Sequence, residues 1–132
     1  MRRFFLAMLL AVFACYQTYD WFKSSRYPQF LERHKKKAWV PRLLLKSGLY
    51  WTFFDDPSKA LLFFDRCAKE DLKKAPERPL CLYYKAWCHD EKKQFNDAIQ
   101  WYSLYLEEFP KHAKADLAQR RLDVLSNGWS GI

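Results

Sequence analysis

Glycine is scarce in this chain and proline is only slightly commoner, three and six among 132 residues. Sheet-rich folds turn repeatedly on those two residues, so their shortage argues against strands and long linkers and favours helices. The signatures of chemistry are missing as well. No glycine-rich loop is present to cradle a phosphate, and no nucleophile can be matched with a base. The four cysteines (Cys15, Cys67, Cys81, Cys88) lack the paired close spacing of a zinc site. Cys88-His89 lacks the upstream cysteine of a haem-attachment motif. His34, His89 and His112 are scattered, and the pairs Asp55-Asp56 and Glu107-Glu108 read as helix-end carboxylates. The expectation is a protein that is not an enzyme, with no catalytic residue, metal, cofactor or small-molecule substrate.

Large side chains are abundant instead: half the residues are hydrophobic and 19% are aromatic. The length suits one small domain, which buries only about two-thirds of its unfolded surface, so aromatics must supply much of the core. The net charge of +8 is unevenly placed. Residues 1–46 carry ten Lys or Arg against Asp20 and Glu32, whereas residues 47–132 carry thirteen of each sign. A basic strip at Arg33, Lys35, Lys36 and Lys37, beside a hydrophobic leader, suits anionic lipid headgroups. Nucleic acid is the rival partner, but it usually calls for basic residues spread over a folded face.

The leader begins with Arg2 and Arg3 and continues through Phe4–Ala14, eleven residues without a polar side chain. That is the order of a secretory signal. Leu9-Leu10-Ala11-Val12-Phe13-Ala14-Cys15 resembles the lipobox of bacterial lipoproteins, in which the cysteine is lipidated; Phe13 departs from it, since a small residue is usual there. The alternative is an uncleaved anchor. Phe4–Tyr19 is uncharged but would span only about 24 Å as a helix, against a hydrocarbon core of roughly 30 Å. Tyr16, Tyr19, Trp21 and Phe22 could extend it as an interfacial belt. An anchor followed by six basic residues and preceded by two would keep the body in the cytoplasm by the positive-inside rule. The length favours export.

The segments are then 1–22 (leader or anchor), 23–40 (a basic juxtamembrane helix around Phe30–Trp39, bracketed by Pro28 and Pro41), 41–126 (the helical body) and 127–132 (a tail). Leu43, Leu44, Gly48 and Trp51 recur at helical spacing. Asp56 is the expected N-cap of a second helix, with Pro57 as its first residue. Leu61, Phe64, Cys67 and Ala68 form its apolar stripe, and Ala75 to Pro79 form a turn. Leu82, Ala86 and His89 mark a third helix. Asn96 is expected to cap a fourth, lined by Ala98, Trp101, Tyr102 and Tyr105 and closed by Pro110. A last helix from about His112 to Leu125 points Leu117, Ala118, Leu122 and Leu125 inward, and Asn127-Gly128 stops it.

Aligning Ala60 with Ala98 exposes an internal offset of 38 residues. The order of large, small and aromatic residues in both units resembles the tetratricopeptide repeat family. The first unit places that pattern on Leu44, Ser47, Gly48, Trp51, Ala60, Phe64, Cys67 and Leu72, with departures at Ser47 and Leu72 and with Pro76 four residues late. The second places it on Leu82, Lys85, Ala86, His89, Ala98, Tyr102, Tyr105 and Pro110, with departures at Lys85, His89 and Tyr105. From Leu106 onward the chain is similar to repeats of bacterial envelope lipoproteins of the outer-membrane assembly type. The resemblance implies an all-α fold of antiparallel hairpins, about two repeats plus capping helices, with Gly48 against Ala60 and Ala86 against Ala98. Three or so repeats are usual in such arrays, so either the flanking helices cap this one or a partner completes it.

The family's groove, carried over residue by residue, falls on Arg42, Leu45, Leu49, Thr52 and Phe53 and on Leu80, Tyr83, Trp87, Asp90 and Glu91. These residues would take a helical or extended segment of a protein partner, or would pack within the chain itself. The expected function is a membrane-associated, non-catalytic adaptor of the bacterial envelope. The alternatives are a permanent subunit of a membrane complex and a lipid- or nucleic-acid-binding protein using residues 33–46. Cys67 could reach Cys81 or Cys88 across adjoining helices, while Cys81 and Cys88, about 10.5 Å apart along one helix, could not bridge. If Cys15 is lipidated or removed, one of the remaining three stays unpaired. Buried small-residue packing is the expected role of the cysteines.

Overall fold

The computed structural model describes residues 2–128, and among them every regular element is helical. The chain divides into two compact units, Met1–Lys36 and Lys37–Ile132.

The first unit holds α1 (Arg2–Lys23) and α2 (Arg26–Arg33). α1 is exposed along almost its whole length and is long and apolar enough to cross a membrane; a signal sequence has the same properties. Its 22 residues span about 33 Å, because the helix runs through both charged ends rather than stopping at the uncharged run. The chain reverses at Ser24-Ser25, and Tyr27 packs edge-on against Trp21, with ring centroids 5.2 Å apart. α2 is shorter and earlier than the expected helix. Pro28 lies in its first turn, where a missing N–H leaves no bond unmade. The helix ends before Lys35–Lys37, a run of three like charges.

The second unit contains α3 (Val40–Phe53), α4 (Pro57–Cys67), α5 (Arg78–Glu91), α6 (Phe95–Glu108) and α7 (Ala115–Ser126). Each packs against the next in sequence, and α3 also touches α5. Pro41 and Pro79 sit in the first turns of α3 and α5. The expected Ala75–Pro79 turn is therefore shorter, since α5 already begins at Arg78.

The two hairpins share one backbone plan. α3 and α5 begin and end 38 residues apart, as do the starts of α4 and α6. Their turns match atom for atom in hydrogen bonding. The N–H of Asp56 donates to Trp51 O and that of Asp55 to Thr52 O, and Gln94 and Lys93 repeat this with His89 O and Asp90 O. Asp55 and Lys93 both hold a left-handed backbone, φ 56° and 61°. This is the Schellman ending of a helix, built twice without the usual glycine. Gly128, at φ 63°, follows the C-cap Asn127 of α7, as expected.

Asp56 caps α4 by accepting from the Lys59 N–H at 3.0 Å. The equivalent residue before α6 is Gln94, which makes no such bond, and Asn96 is inside the helix rather than its cap. The shared turn fixes the capping position at Gln94, one residue ahead of Phe95, which leaves Asn96 inside the helix. α7 begins at Ala115, three residues later than expected. Its buried face carries Ala115 and Ala118, whereas Leu117 is 51% exposed, a correction to its inward placement. Residue 117 stands about 100° around the helix from 118, on the solvent side.

Core placement follows the pattern closely. Leu44, Trp51, Ala60, Leu61, Phe64, Cys67, Ala68, Leu82, Ala86, Ala98, Tyr102 and Tyr105 are all buried. Pro110 lies exposed just beyond α6. Gly48 is a close-approach position, as expected: a Cβ there would run into the buried ring of Phe64. Only glycine lets the α3 backbone approach that buried ring.

Candidate functional site

The ten residues of the candidate face lie on α3 and α5, the adjoining first helices of the two hairpins. Phe53 is 85% exposed, and Arg42 and Glu91 are exposed too. Leu49, Thr52, Leu80, Tyr83 and Trp87 are half-buried, and Leu45 is buried. Arg42 Nε stands 3.7 Å from Glu77 beside the start of α5. Thr52 returns its hydroxyl to Leu49 O at 2.7 Å.

Two members are engaged inside the unit. Asp90 is 5% exposed and takes a two-pronged ion pair from Arg121 of α7, Nη2 to Oδ1 at 2.7 Å. The arginine is held even more firmly in its charged form, chiefly through this hydrogen bond. Of the two acidic residues on this face Glu91 alone is exposed, with α7 occupying the aspartate. Tyr83 lies edge-on to Tyr102 and Tyr105 of α6, and Lys114 Nζ stands 5.2 Å from its ring centroid. Burial raises its hydroxyl pKa. What stays open runs through Phe53, Leu49 and Trp87, with the exposed Arg42 and Glu91 as its flanking charges.

Polar groups that the repeat pattern did not anticipate hold this face in place. Arg78, 1% exposed, donates from Nε and Nη2 to the two carboxylate oxygens of Glu108 at 2.9 and 3.0 Å. Its Nη1 donates to Ala68 O, the C-cap carbonyl of α4, at 2.7 Å. One guanidinium therefore ties the start of α5 to the ends of α4 and α6. The Glu108 carboxyl is held below its ordinary range by the hydrogen bond from Arg78. A cation in the first turn of a helix opposes the helix dipole, and that mismatch was the available sequence signal that Arg78 must meet an acid.

Lys85, at a position where the family places leucine, pairs with Asp65 at 2.9 Å and lies 3.4 Å from the Trp101 ring centroid. Tyr105, at a position for a small residue, meets His112 Nδ1 through its hydroxyl at 2.6 Å. Ser47, the matching departure in the first hairpin, is buried and donates to Leu43 O at 2.7 Å. Ser47, Lys85 and Tyr105 thus each carry a hydrogen bond or ion pair of their own.

Cys67 and Cys81 form a disulfide between α4 and α5, their Cα atoms 5.8 Å apart. This corrects the expectation of packing without a bond. Adjacent helices bring the two cysteines within the usual bridging distance. Cys88 remains a buried free thiol, pushed up to about 12 first by burial, and so stays protonated at neutral pH. Cys15 is exposed on α1. Lys35, Lys36 and Lys37 are exposed after α2, with Lys35 3.2 Å from Glu32. The imidazoles are far apart in role: His34 meets Phe30 O and His89 meets Gln94, each at 2.8 Å, while His112 meets Tyr105. Among the described residues no group of His, Cys, Asp or Glu is placed to hold a metal.

No family model matches the chain, and neither a curated protein nor a solved structure matches it significantly.

Proposed function

We propose that this chain is a membrane-associated, non-catalytic adaptor of tetratricopeptide type, whose α3–α5 face takes a segment of a protein partner. The observation that carries the reading is the duplicated hairpin: helix starts and turn hydrogen bonds recur at one 38-residue offset. Helices that touch chiefly their sequence neighbours form an extended face rather than a closed core. Aromatic and aliphatic side chains at Phe53, Leu49 and Trp87, flanked by Arg42 and Glu91, are the residue types that bind a peptide.

The N-terminus supplies the membrane link. α1 suits either an anchor or an export signal. The Cys67–Cys81 bridge favours export, because such bonds persist in the periplasm and not in the cytosol. A retained anchor with the body outside would oppose the positive-inside rule, so cleavage or lipidation at Cys15 reconciles the two observations. The placement is the bacterial cell envelope.

Photo-crosslinking in intact cells tests the adaptor reading. A photoreactive residue at Leu49, Phe53 or Trp87 is expected to yield one common protein adduct, and one at the exposed Leu62 of α4 none. Equal adducts at Leu62, or none on the α3–α5 face, would contradict it. Intact mass of the mature protein distinguishes lipidated, cleaved and retained leaders.

A further inference from the structure

The elbow between α1 and α2 encloses a shallow cavity of about 370 Å³, lined by Trp21, Arg26, Gln29, Phe30 and Arg33. Its size falls within the range of small-ligand sites, about 300–1,000 Å³. Residues 26, 29, 30 and 33 follow helical spacing, so four of the five linings share one face of α2. Trp21, in the last turns of α1, closes the other side, with its ring centroid 5.5 Å from that of Phe30. Neither arginine has an ion-pair partner among the described residues, and the nearby Glu32 carboxylate is engaged by Lys35. Two guanidinium groups, an amide and an indole around one cavity match a phosphate diester joined to an apolar body. Arginine chelates phosphate oxygens through paired N–H groups, and tryptophan favours the lipid–water boundary.

The geometry points to a binding site for the headgroup phosphate of an anionic glycerophospholipid at this elbow. The inference rests on the membrane association proposed above, with a leader that is either retained as a span or lipidated at Cys15, so that Trp21 stays in the chain. If α1 spans, its charged end at Lys23 places Trp21 and Arg26 at headgroup depth. If Cys15 becomes a lipidated N-terminus, Trp21 follows it by six residues, about 9 Å along the helix, again at the interface. Either way the five lining residues stay in the mature chain.

The test uses the full-length protein reconstituted into vesicles of phosphatidylcholine with a minority of phosphatidylglycerol. After mild detergent extraction, the retained lipid is measured by mass spectrometry. Wild type is expected to hold phosphatidylglycerol enriched over the bulk. Arg26→Gln with Arg33→Gln should lower that enrichment about tenfold or more, the scale expected for losing hydrogen bonds to a charged group. Lys35→Gln with Lys36→Gln removes the same charge outside the cavity and should leave the enrichment in place. Equal loss in both double variants, or retention in the first, overturns the site. Excess inorganic phosphate should not displace the lipid; full displacement would reassign the cavity to free phosphate and overturn the headgroup reading. Membrane recovery of wild type without enrichment defeats the cavity alone, while a wholly soluble wild-type protein defeats the membrane reading as well.

Discussion

The α3–α4 and α5–α6 hairpins follow one plan and are held by different chemistry. The first is closed by steric fit: Gly48 admits the buried ring of Phe64, and Asp56 caps α4. The second replaces the glycine with Ala86, has no side-chain cap, and gains charged anchors at Arg78–Glu108, Lys85–Asp65 and Asp90–Arg121. Backbone geometry is therefore the shared element, set by a turn with one left-handed residue, Asp55 or Lys93, while the side chains that secure it are interchangeable in kind.

The largest expected effect lies in the second hairpin. Arg78→Met should leave Glu108 without its guanidinium partner and the Ala68 carbonyl without its donor. Breaking such a buried pair costs about 3–5 kcal/mol, measurable by denaturant unfolding. The same pair sets an acid limit. With its carboxyl held below the ordinary value, Glu108 contributes stability fully above the unfolded carboxylate range, near about 4.3, and loses it as pH falls through the lower folded value. Wild type should accordingly lose stability on acidification more steeply than Arg78→Met, and equal slopes would show that the pair is not formed.

Gly48→Ala should be next, at about 1–3 kcal/mol. Alanine gains about 1 kcal/mol of helix propensity over glycine, but here its Cβ meets a buried aromatic ring, and the clash wins. Adding Phe64→Leu should recover part of that loss in a double-mutant cycle, since the two positions share one space. In the second hairpin Ala86→Gly should also destabilise, by about 1–2 kcal/mol, through lost helix propensity and a lost buried methyl rather than a clash. Opposite reasons for loss at equivalent positions would sharpen the contrast.

Smaller effects probe the turns. Asp56→Ala should cost about 1 kcal/mol, and Gln94→Asp should return a similar amount by supplying the second turn with the missing cap. Lys93→Gly and Asp55→Gly should each stabilise by up to about 1 kcal/mol, since both residues hold a left-handed backbone. Thermal melts resolve changes of this size. A destabilising glycine at one site only would break the equivalence of the turns.

Much of this plan was legible in the sequence because it depends on local chemistry. Pro41 and Pro57 mark helix starts, and the 38-residue offset aligns small with small and aromatic with aromatic. The buried stripes of α4 and α6 followed from their spacing. The polar anchors were not legible, because each joins residues far apart in sequence: Arg78 and Glu108 are separated by 30 positions and Asp90 and Arg121 by 31. Lys85 and Tyr105 appeared only as departures from a pattern, and their partners Asp65 and His112 explain them. The candidate face was legible as two helix stripes. Its division into open and occupied parts was not, since that depended on where α7 places Arg121 and Lys114. Gly48 was rightly singled out as a close-approach position, but the Phe64 ring that a side chain there would meet was not anticipated.

Nuclear Overhauser spectra of the full chain in detergent test the duplicated hairpin most directly. The account predicts cross-peaks from the Gly48 Hα protons to the Phe64 ring, and strong intraresidue HN–Hα peaks, diagnostic of positive φ, at both Asp55 and Lys93. Ordered helices with no Gly48–Phe64 contact, or with a left-handed residue at only one of the two turns, would contradict it.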